Sequence, residues 1–410
     1  MNGKPSINQI ITKLIEMRIE GKRITLLAIC PNSDAVLEAA IKCAAENSTP
    51  MLFAATLNQV DRDGGYTGWT PSTFVSRMME LAVKYSCTSP LYPCLDHGGP
   101  WLKDTHNIHN LSLVETMNEV KESFKACLQA GYSLLHIDPT VDRTLPKGQP
   151  PAISSVIERT IELISFIEEQ RLALNLPPVS YEVGTEEVHG GLVDIKNFEE
   201  FLDGLYHGLQ ASKLLHAWPC FIVGKVGTDL HTINFDPEVA HKLYERVSPL
   251  GSLIKGHYTD WVANPQEYPH SGMGGANVGP EFTFTELNAL YILCDAEDSV
   301  CAHKASLTSS HFRDTIKSAV LDSNRWEKWL LPDEVGLSFD DLTHDRQDWL
   351  IGTGARYVWT HPQVLGARRL LYTNLASQGT DPHCQVIDCI AQNMQKYIDA
   401  FNLRNSIHLF

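Results

Sequence analysis

Eight short apolar or β-branched runs recur along the chain, and every gap between them but the seventh carries a helical pattern. The runs fall at 24–30, 51–55, 90–95, 133–137, 179–183, 219–223, 251–255 and 274–278. Helical periodicity fills 34–46, 71–85, 112–130, 152–173, 195–210 and 237–246, and resumes at 283–293 after the eighth run; 264–271 reads as a polar, proline-bearing loop. Strands that alternate with helices pair in parallel through right-handed crossovers. Eight such units fit an α/β fold of the TIM (β/α)8 barrel type. The runner-up, a doubly wound sheet, carries a glycine-rich fingerprint after its first strand; here Cys30-Pro31-Asn32-Ser33 follows instead. Beyond the barrel, 308–331, 362–377 and 385–403 are helical in pattern. The expected organisation is a barrel over 1–298 and a C-terminal helical extension over 299–410, packed on the barrel or forming an interface.

Composition narrows the class of function. With 43% apolar and 20% charged residues, a 410-residue chain has ample core for a soluble globular protein. Lys and Arg number 33 against 49 Asp and Glu, a net charge of −16. A chain that acidic repels nucleic acid and anionic lipid unless a basic patch intervenes, and the densest basic runs are only Lys22-Arg23 and Arg368-Arg369. No apolar signal segment follows the polar start and no apolar stretch is long enough to span a bilayer, so a cytoplasmic protein is expected. Ten scattered cysteines without a CxxC pair read as reduced core thiols.

In a barrel of this kind, chemistry sits at the C-terminal ends of the strands. Asp and His recur there: Asp96-His97, His136-Ile137-Asp138, Glu182 through Glu186-Glu187, Asp229-Leu230-His231, His257-Tyr258-Thr259-Asp260 and Asn277 through Glu281. Imidazoles and carboxylates suit Zn, Mn, Co or Ni, and a catalytic site needs about three protein ligands and one open position. His97, His231 and His257 come from three separate strand ends and are the expected ligands, with Glu186 completing the set or serving as an acid. A carboxylate facing the barrel mouth is costly unless paired, which marks Asp138 as functional. His136, between Leu135 and Ile137, reads equally well as a core histidine. His189 reads as a loop residue, and His106, His109, His207, His216 and His241 as surface or supporting residues. The loop Gly64-Gly65-Tyr66-Thr67-Gly68 could present backbone N–H groups to an anion, but lacks the Lys-Ser/Thr ending of a P-loop.

These segments, taken in order, resemble the accessory subunits of class II D-tagatose-1,6-bisphosphate aldolase, often called non-catalytic. The likeness rests on Asn58-Gln59-Val60, Gly64-Gly65-Tyr66-Thr67-Gly68, Thr70-Pro71, Asp96-His97, Gly99-Pro100, His136-Ile137-Asp138 and Gly184-Thr185-Glu186. It continues through His257-Tyr258-Thr259-Asp260, Val278-Gly279-Pro280, Thr283-Phe284, Arg356-Tyr357, Trp359, His361 and Asn374-Leu375. The resemblance implies a barrel related to metal-dependent class II aldolases, in which Asp96 is the base, His97, His231 and His257 hold a divalent ion, and Glu186 or Glu187 is the acidic loop residue. It implies retro-aldol chemistry on a tagatose- or fructose-type ketose through a metal-stabilised enediolate, giving C4 epimerisation or cleavage. Asn58, Gln59, Gly65, Thr67, Glu182, Asp260, Asn277 and Glu281 are then expected around the substrate. The alternative it implies is an accessory subunit stabilising a partner aldolase; a homo-oligomer is expected in either case. Asn277 stands where the family pattern leads us to expect Lys, Glu281 follows Pro280, and Glu182 occupies a position usually apolar in nearer relatives. A lost cation and added carboxylates favour an unphosphorylated or singly phosphorylated ketose over a bisphosphate.

Overall fold

All eight expected strands form, and they close on themselves. The computed structural model describes residues 4–146, 149–184, 192, 194–229, 231–304 and 306–410. Strands β1 (Leu26–Ile29), β2 (Met51–Thr56), β3 (Leu91–Gly98), β4 (Leu134–Ile137), β5 (Ser180–Gly184), β6 (Phe221–Val223), β7 (Leu253–Gly256) and β8 (Met273–Val278) pair in sequence order into a closed barrel. Every pair is parallel, including β1 with β8.

Helices α1 (Ile7–Ile19), α2 (Asp34–Glu46), α3 (Pro71–Lys84), α4 (Asp104–Ile108), α5 (Leu113–Gln129), α6 (Ile153–Ala173), α7 (Ile195–Ala211), α8 (Pro237–Val247) and α9 (Glu267–Ser271) precede or connect the strands. They are followed by α10 (Pro280–His303), α11 (Phe312–Asp322), α12 (His344–Gly354), α13 (Pro362–Ala376) and α14 (Pro382–Ala400). Cap chemistry sets several boundaries. Thr70 accepts from the Thr73 N–H with Pro71 at the first helical position, and Ser112 pairs reciprocally with Glu115.

The sequence reading missed α1, and α1 decides which barrel end is open. Its buried stripe is Ile7, Ile10, Ile11, Leu14 and Met17, and the Ser6/Gln9 capping box starts it. The Asn8 N–H donates to Ser180 Oγ, and Lys4 Nζ to the Leu91 carbonyl. Arg18 donates to the carbonyls of Ile24, Gly272 and Met273. These partners stand at the starts of β5, β3, β1 and β8, so α1 covers the N-terminal end of the barrel. The opposite end carries the Asp and His residues.

A second departure concerns 308–331. The chain leaves α11 at Ser323, passes through Asn324 in the left-handed region (φ 54°) and continues as a 3-10 turn over Arg325–Trp329. Asn tolerates that conformation better than most residues. The break directs Arg325, Lys328 and Trp329 towards the C-terminal mouth, where another 3-10 turn, Ala355–Tyr357, joins them. All ten cysteines are unpaired, and among the described residues no helix is long and apolar enough to cross a membrane.

Candidate metal centre and cavity

Strand alternation puts the chemistry on one face. Successive side chains of a strand point to opposite sides, so Leu135 and Ile137 leave β4 outward while His136 enters the barrel, level with Glu182 of β5. Asp96 at the end of β3, Lys255 and His257 from β7, and Asn277 from β8 meet them there. The β3–β4 register shifts between Leu95 and Gly98, and His97 sits at φ 50°. That irregularity turns the imidazole towards the barrel axis instead of outward.

Donor atoms of Asp96, His97, His136 and His257 all lie within 4.8 Å of one another. His97 Nδ1 is 2.5 Å from Asp138 Oδ2, and His97 Nε2 is 3.1 Å from His257 Nδ1. His257 Nε2 is 2.9 Å from Glu182 Oε1, whose other oxygen accepts from Lys255 Nζ at 2.5 Å. Asn277 Nδ2 donates to Asp96 Oδ2 at 3.1 Å, and His136 Nδ1 lies 3.2 Å from Asp96 Oδ1.

These contacts fix the charges. Burial pushes the Asp96 carboxyl up, but His97, His257 and His136 hold it well below the usual carboxylate range. Burial pulls His97 down, yet Asp96, Asp138 and Glu182 outweigh it and raise the ring to about 9. His257 is lowered to about 4 by burial, with His97 adding to the effect against Asp96 and Glu182. Three buried carboxylates, Asp96, Asp138 and Glu182, therefore face one ammonium, Lys255. Of the two negative charges left over, the raised His97 balances one as an imidazolium when no ion is bound, and a divalent cation holding His97 as a neutral ligand would balance both.

The residues fit such an ion on a second count. His136 Nε2 is buried without a hydrogen-bond partner among the described residues. Three imidazoles and a carboxylate form a mixed nitrogen and oxygen set for a borderline ion. Asp138, which also accepts from Thr140 Oγ1, locks the His97 tautomer from behind.

Above the cluster opens a cavity of about 260 Å³. Asp96, His97, His257, Asn277, Asn58, Gln59 and Asp260 line it. Tyr66, Arg325, Lys328, Trp329, Arg356 and Tyr357 form the facing wall. Thr360 Oγ1 donates to the Tyr66 carbonyl, so the C-terminal segment is tied to the loop after β2. Burial raises Asp260 to about 7 despite the N–H groups of Gly279 and Glu281 on its Oδ1.

Several expectations are corrected by position. His231 lies outside the cluster: β6 ends at Val223, and a turn closed between Asp229 and Thr232 carries the exposed imidazole onto Trp349, 5.2 Å away between ring centroids. His136 takes the third imidazole position, and its parity with Asp138 across Ile137 was the available signal. Asp138 stands behind His97 and does not line the cavity, which makes it a positioning residue. Glu281 is engaged by Lys396, Tyr397 Oη and the Trp261 N–H, away from the cavity. Glu182 is fully buried beneath the cluster and touches His257 and Lys255 instead of the cavity.

Gly65 and Thr67 shape the loop. A Cβ on Gly65 would sit 2.4 Å from the Gln59 carbonyl oxygen, and Thr67 Oγ1 donates to that carbonyl at 2.6 Å. The N–H groups of residues 64–67 are bonded within the loop, so it presents no anion cradle. Glu186, Glu187 and His189 lie outside the described residues. Sequence reasoning passed over Asn32, Lys255, Arg325, Lys328 and Trp329; the last three were hidden inside an assumed continuous helix.

The profile of the family described as D-tagatose-1,6-bisphosphate aldolase subunit GatZ/KbaZ-like matches residues 11–406. Among solved structures, a probable tagatose 6 phosphate kinase from Sinorhizobium meliloti 1021 superposes with a TM-score of 0.74 at 21% identity, over 92% of this chain and 100% of that one. A fructose-bisphosphate aldolase from Campylobacter jejuni superposes with a TM-score of 0.52 at 11% identity, over 98% of this chain and 97% of that one. At these identities the likeness is one of fold.

Proposed function

The chain belongs to the D-tagatose-1,6-bisphosphate aldolase subunit GatZ/KbaZ-like family, and from that premise we propose that it is itself a metal-dependent ketose or ketose-phosphate C4-epimerase/aldolase. The observation that carries this reading is the buried convergence of Asp96, His97, His136 and His257 beneath a cavity lined by polar groups. A subunit that only braced a partner would need no such group, because unpaired charge at a barrel mouth is destabilising.

His97, His136 and His257 would hold the ion, with Asp96 beside them. A divalent cation supplies Lewis-acid polarisation of a ketose carbonyl. Asp96, kept ionised and oriented by Asn277 Nδ2, accepts the proton of the C4 hydroxyl. The C3–C4 bond then breaks, its electron pair moving towards C2 and the O–H pair forming the C4 aldehyde. If the aldehyde turns over and the bond re-forms on its other face, Asp96 returns the proton and the product is the C4 epimer. If the aldehyde leaves, the proton held by Asp96 passes to C3 of the remaining fragment, which restores the base, and the outcome is cleavage. The aromatic wall of Tyr66, Trp329 and Tyr357 favours retention by limiting water.

The test is to incubate the purified chain with Mn²⁺ or Zn²⁺ and ¹³C-labelled fructose 6-phosphate and follow the mixture by NMR. C4-epimer or triose signals that vanish with EDTA, and are missing for His97→Ala, support the proposal. An unchanged spectrum with both fructose 6-phosphate and fructose would reject it. The family description as an aldolase subunit favours the second reading in that event, a chain that acts by binding a partner aldolase.

A further inference from the structure

The chemistry proposed above asks one carboxylate to serve the C4 oxygen in two places. An aldehyde shows its other face to C3 by turning about the C4–C5 bond, and that turn exchanges the positions of its hydrogen and its oxygen. The oxygen therefore leaves Asp96 and comes to rest on the far side of the cavity. A proton donor is needed there, because re-forming the C3–C4 bond leaves an alkoxide at C4.

Asp260 stands on that side. Asp96 belongs to β3 and Asp260 follows β7, four strands away in a closed ring of eight. Both line the same cavity. Asp260 is 2% exposed, and the N–H groups of Gly279 and Glu281, at the start of α10, fix its Oδ1 at 2.9 and 2.8 Å. Its Oδ2 has no hydrogen-bond partner among the described residues, and no Lys, Arg or His pairs with it there. The buried carboxylates Glu182, Glu286 and Glu297 differ, each being engaged through both oxygens. The charged and titratable groups around Asp260 are Glu281 of α10, Arg356 of the facing wall, Cys30 after β1, Tyr268 of α9 and Tyr397 of α14. Burial raises the carboxyl to about 7 and the Glu281 carboxylate adds to this, against the two N–H groups and the Arg356 guanidinium. A carboxyl anchored by one oxygen, with the other unbonded beside a cavity and no cation paired, is built to hold and release a proton.

We infer that Asp260 is a second acid–base residue, which gives its proton to the C4 oxygen of the turned-over aldehyde as the C3–C4 bond re-forms. The role rests on the ketose reading given above. Asp96 takes the C4 hydroxyl proton and the C3–C4 bond breaks. After the half-turn the C3 electron pair re-forms the bond, the carbonyl pair moves onto oxygen, and Asp260 protonates it. The proton is then on Asp96 and the charge on Asp260, the form that converts the epimer back. On product release Asp96 returns its proton to solvent and Asp260 takes one up, so none is gained or lost over a cycle.

Asp260→Asn keeps an oxygen for the two N–H groups and removes the acid. With Mn²⁺ or Zn²⁺ and ¹³C-labelled fructose 6-phosphate, its C4-epimer formation is expected to fall on the order of 100-fold or more, and Asp260→Glu to restore part of it. Exchange of the carbon-bound hydrogens of dihydroxyacetone in heavy water, the reverse of the C3 protonation that ends cleavage, draws on Asp96 and not on Asp260. That exchange should stay within about threefold of the wild type in Asp260→Asn. Epimer formation by the wild type needs Asp260 protonated, so it should fall as pH rises above about 7, in both directions alike, while the exchange does not follow that limb. In the metal-free chain, ¹³C-carboxyl NMR should show an aspartate titrating near pH 7 that is missing from Asp260→Asn. Epimer formation by folded Asp260→Asn within about threefold of the wild type overturns the inference and leaves the enzyme. Loss of the exchange together with epimerisation, which marks a structural role, also overturns it, as does the absence of that titration. A wild type that turns over neither fructose 6-phosphate nor fructose under any metal overturns the inference and the ketose reading together.

Discussion

Replacing Lys255 by Met strips the one ammonium from beneath three carboxylates. Lys255 Nζ and Glu182 Oε2 are 2.5 Å apart with both side chains 1% exposed or less. At an effective dielectric of about 20 the pair attracts by roughly 6–7 kcal/mol, and desolvation of the two charges offsets most of that. The net worth of the pair is therefore small, while breaking it is expensive. Lys255→Met leaves Glu182 facing only imidazoles, His257 Nε2 at 2.9 Å and His136 Nδ1 at 3.8 Å, and should lower the unfolding free energy by about 3–5 kcal/mol. Glu182→Gln strands the ammonium against an amide and should cost a similar amount. The double variant Glu182→Gln/Lys255→Met buries no charge and keeps the volumes close, so it should lie within about 2 kcal/mol of the wild type. Urea unfolding at pH 7 in EDTA, compared at constant slope, reads all four chains. Additive losses in the double variant, or single variants within about 1 kcal/mol of the wild type, would refute the reasoning.

Other predictions follow from the same geometry. His97→Ala, His136→Ala and His257→Ala should each lower Mn²⁺ or Zn²⁺ affinity on the order of 100-fold in calorimetry, and Asp138→Asn about 10-fold through the lost lock on His97. His231→Ala should leave affinity unchanged; a loss matching that of His136→Ala would contradict the placement of His231 outside the cluster. Gly99→Ala would put a Cβ 1.7 Å from the Asp138 carbonyl oxygen, so its melting temperature should drop by the equivalent of about 3 kcal/mol or more, and an unchanged melting curve would be inconsistent with that approach. Glu38 joins α2 to Lys84, Tyr85 and His383; burial raises its carboxyl, but hydrogen bonds from those three outweigh it and hold it at about 2. Its contribution is present above the ordinary carboxylate value of about 4.5 and is lost as pH falls towards 2, so Glu38→Gln should be less stable than the wild type at pH 7 and converge with it in acid.

What could be read from the sequence follows what local patterns encode. The strand and helix periods carried the barrel, because burying one face of each element is a local constraint repeated eight times. Asp96-His97 and His257 were legible as strand ends, since a strand end fixes where a side chain emerges. His231 misled because it follows β6 by several residues, and Asp229 and Thr232 close a turn that no periodicity records. His136 was undervalued because its neighbours Leu135 and Ile137 look like core, although alternation sends them to the opposite face. Glu182 looked like a substrate contact because nothing local announces a partner 73 residues away in Lys255. The cationic wall was hidden by the turn at Asn324, which breaks a sequence whose apolar spacing runs on as a helix. The α1 stripe was readable, Ile7, Ile10, Ile11, Leu14 and Met17 having helical spacing, but its role at the barrel floor depends on carbonyls as distant as Met273.

The order in which the chain is made gives the broken helix a further meaning. The last barrel strand ends at Val278, and the facing wall is complete only at Tyr357. At synthesis rates of about 5–20 residues per second, roughly 4–16 s separate the two. During that interval the strands that carry Asp96, His97, His136 and His257 exist without the arginines that face them in the finished structure. The strands that carry the imidazoles are thus made well before the segment that faces them, with α13 and α14 following later still.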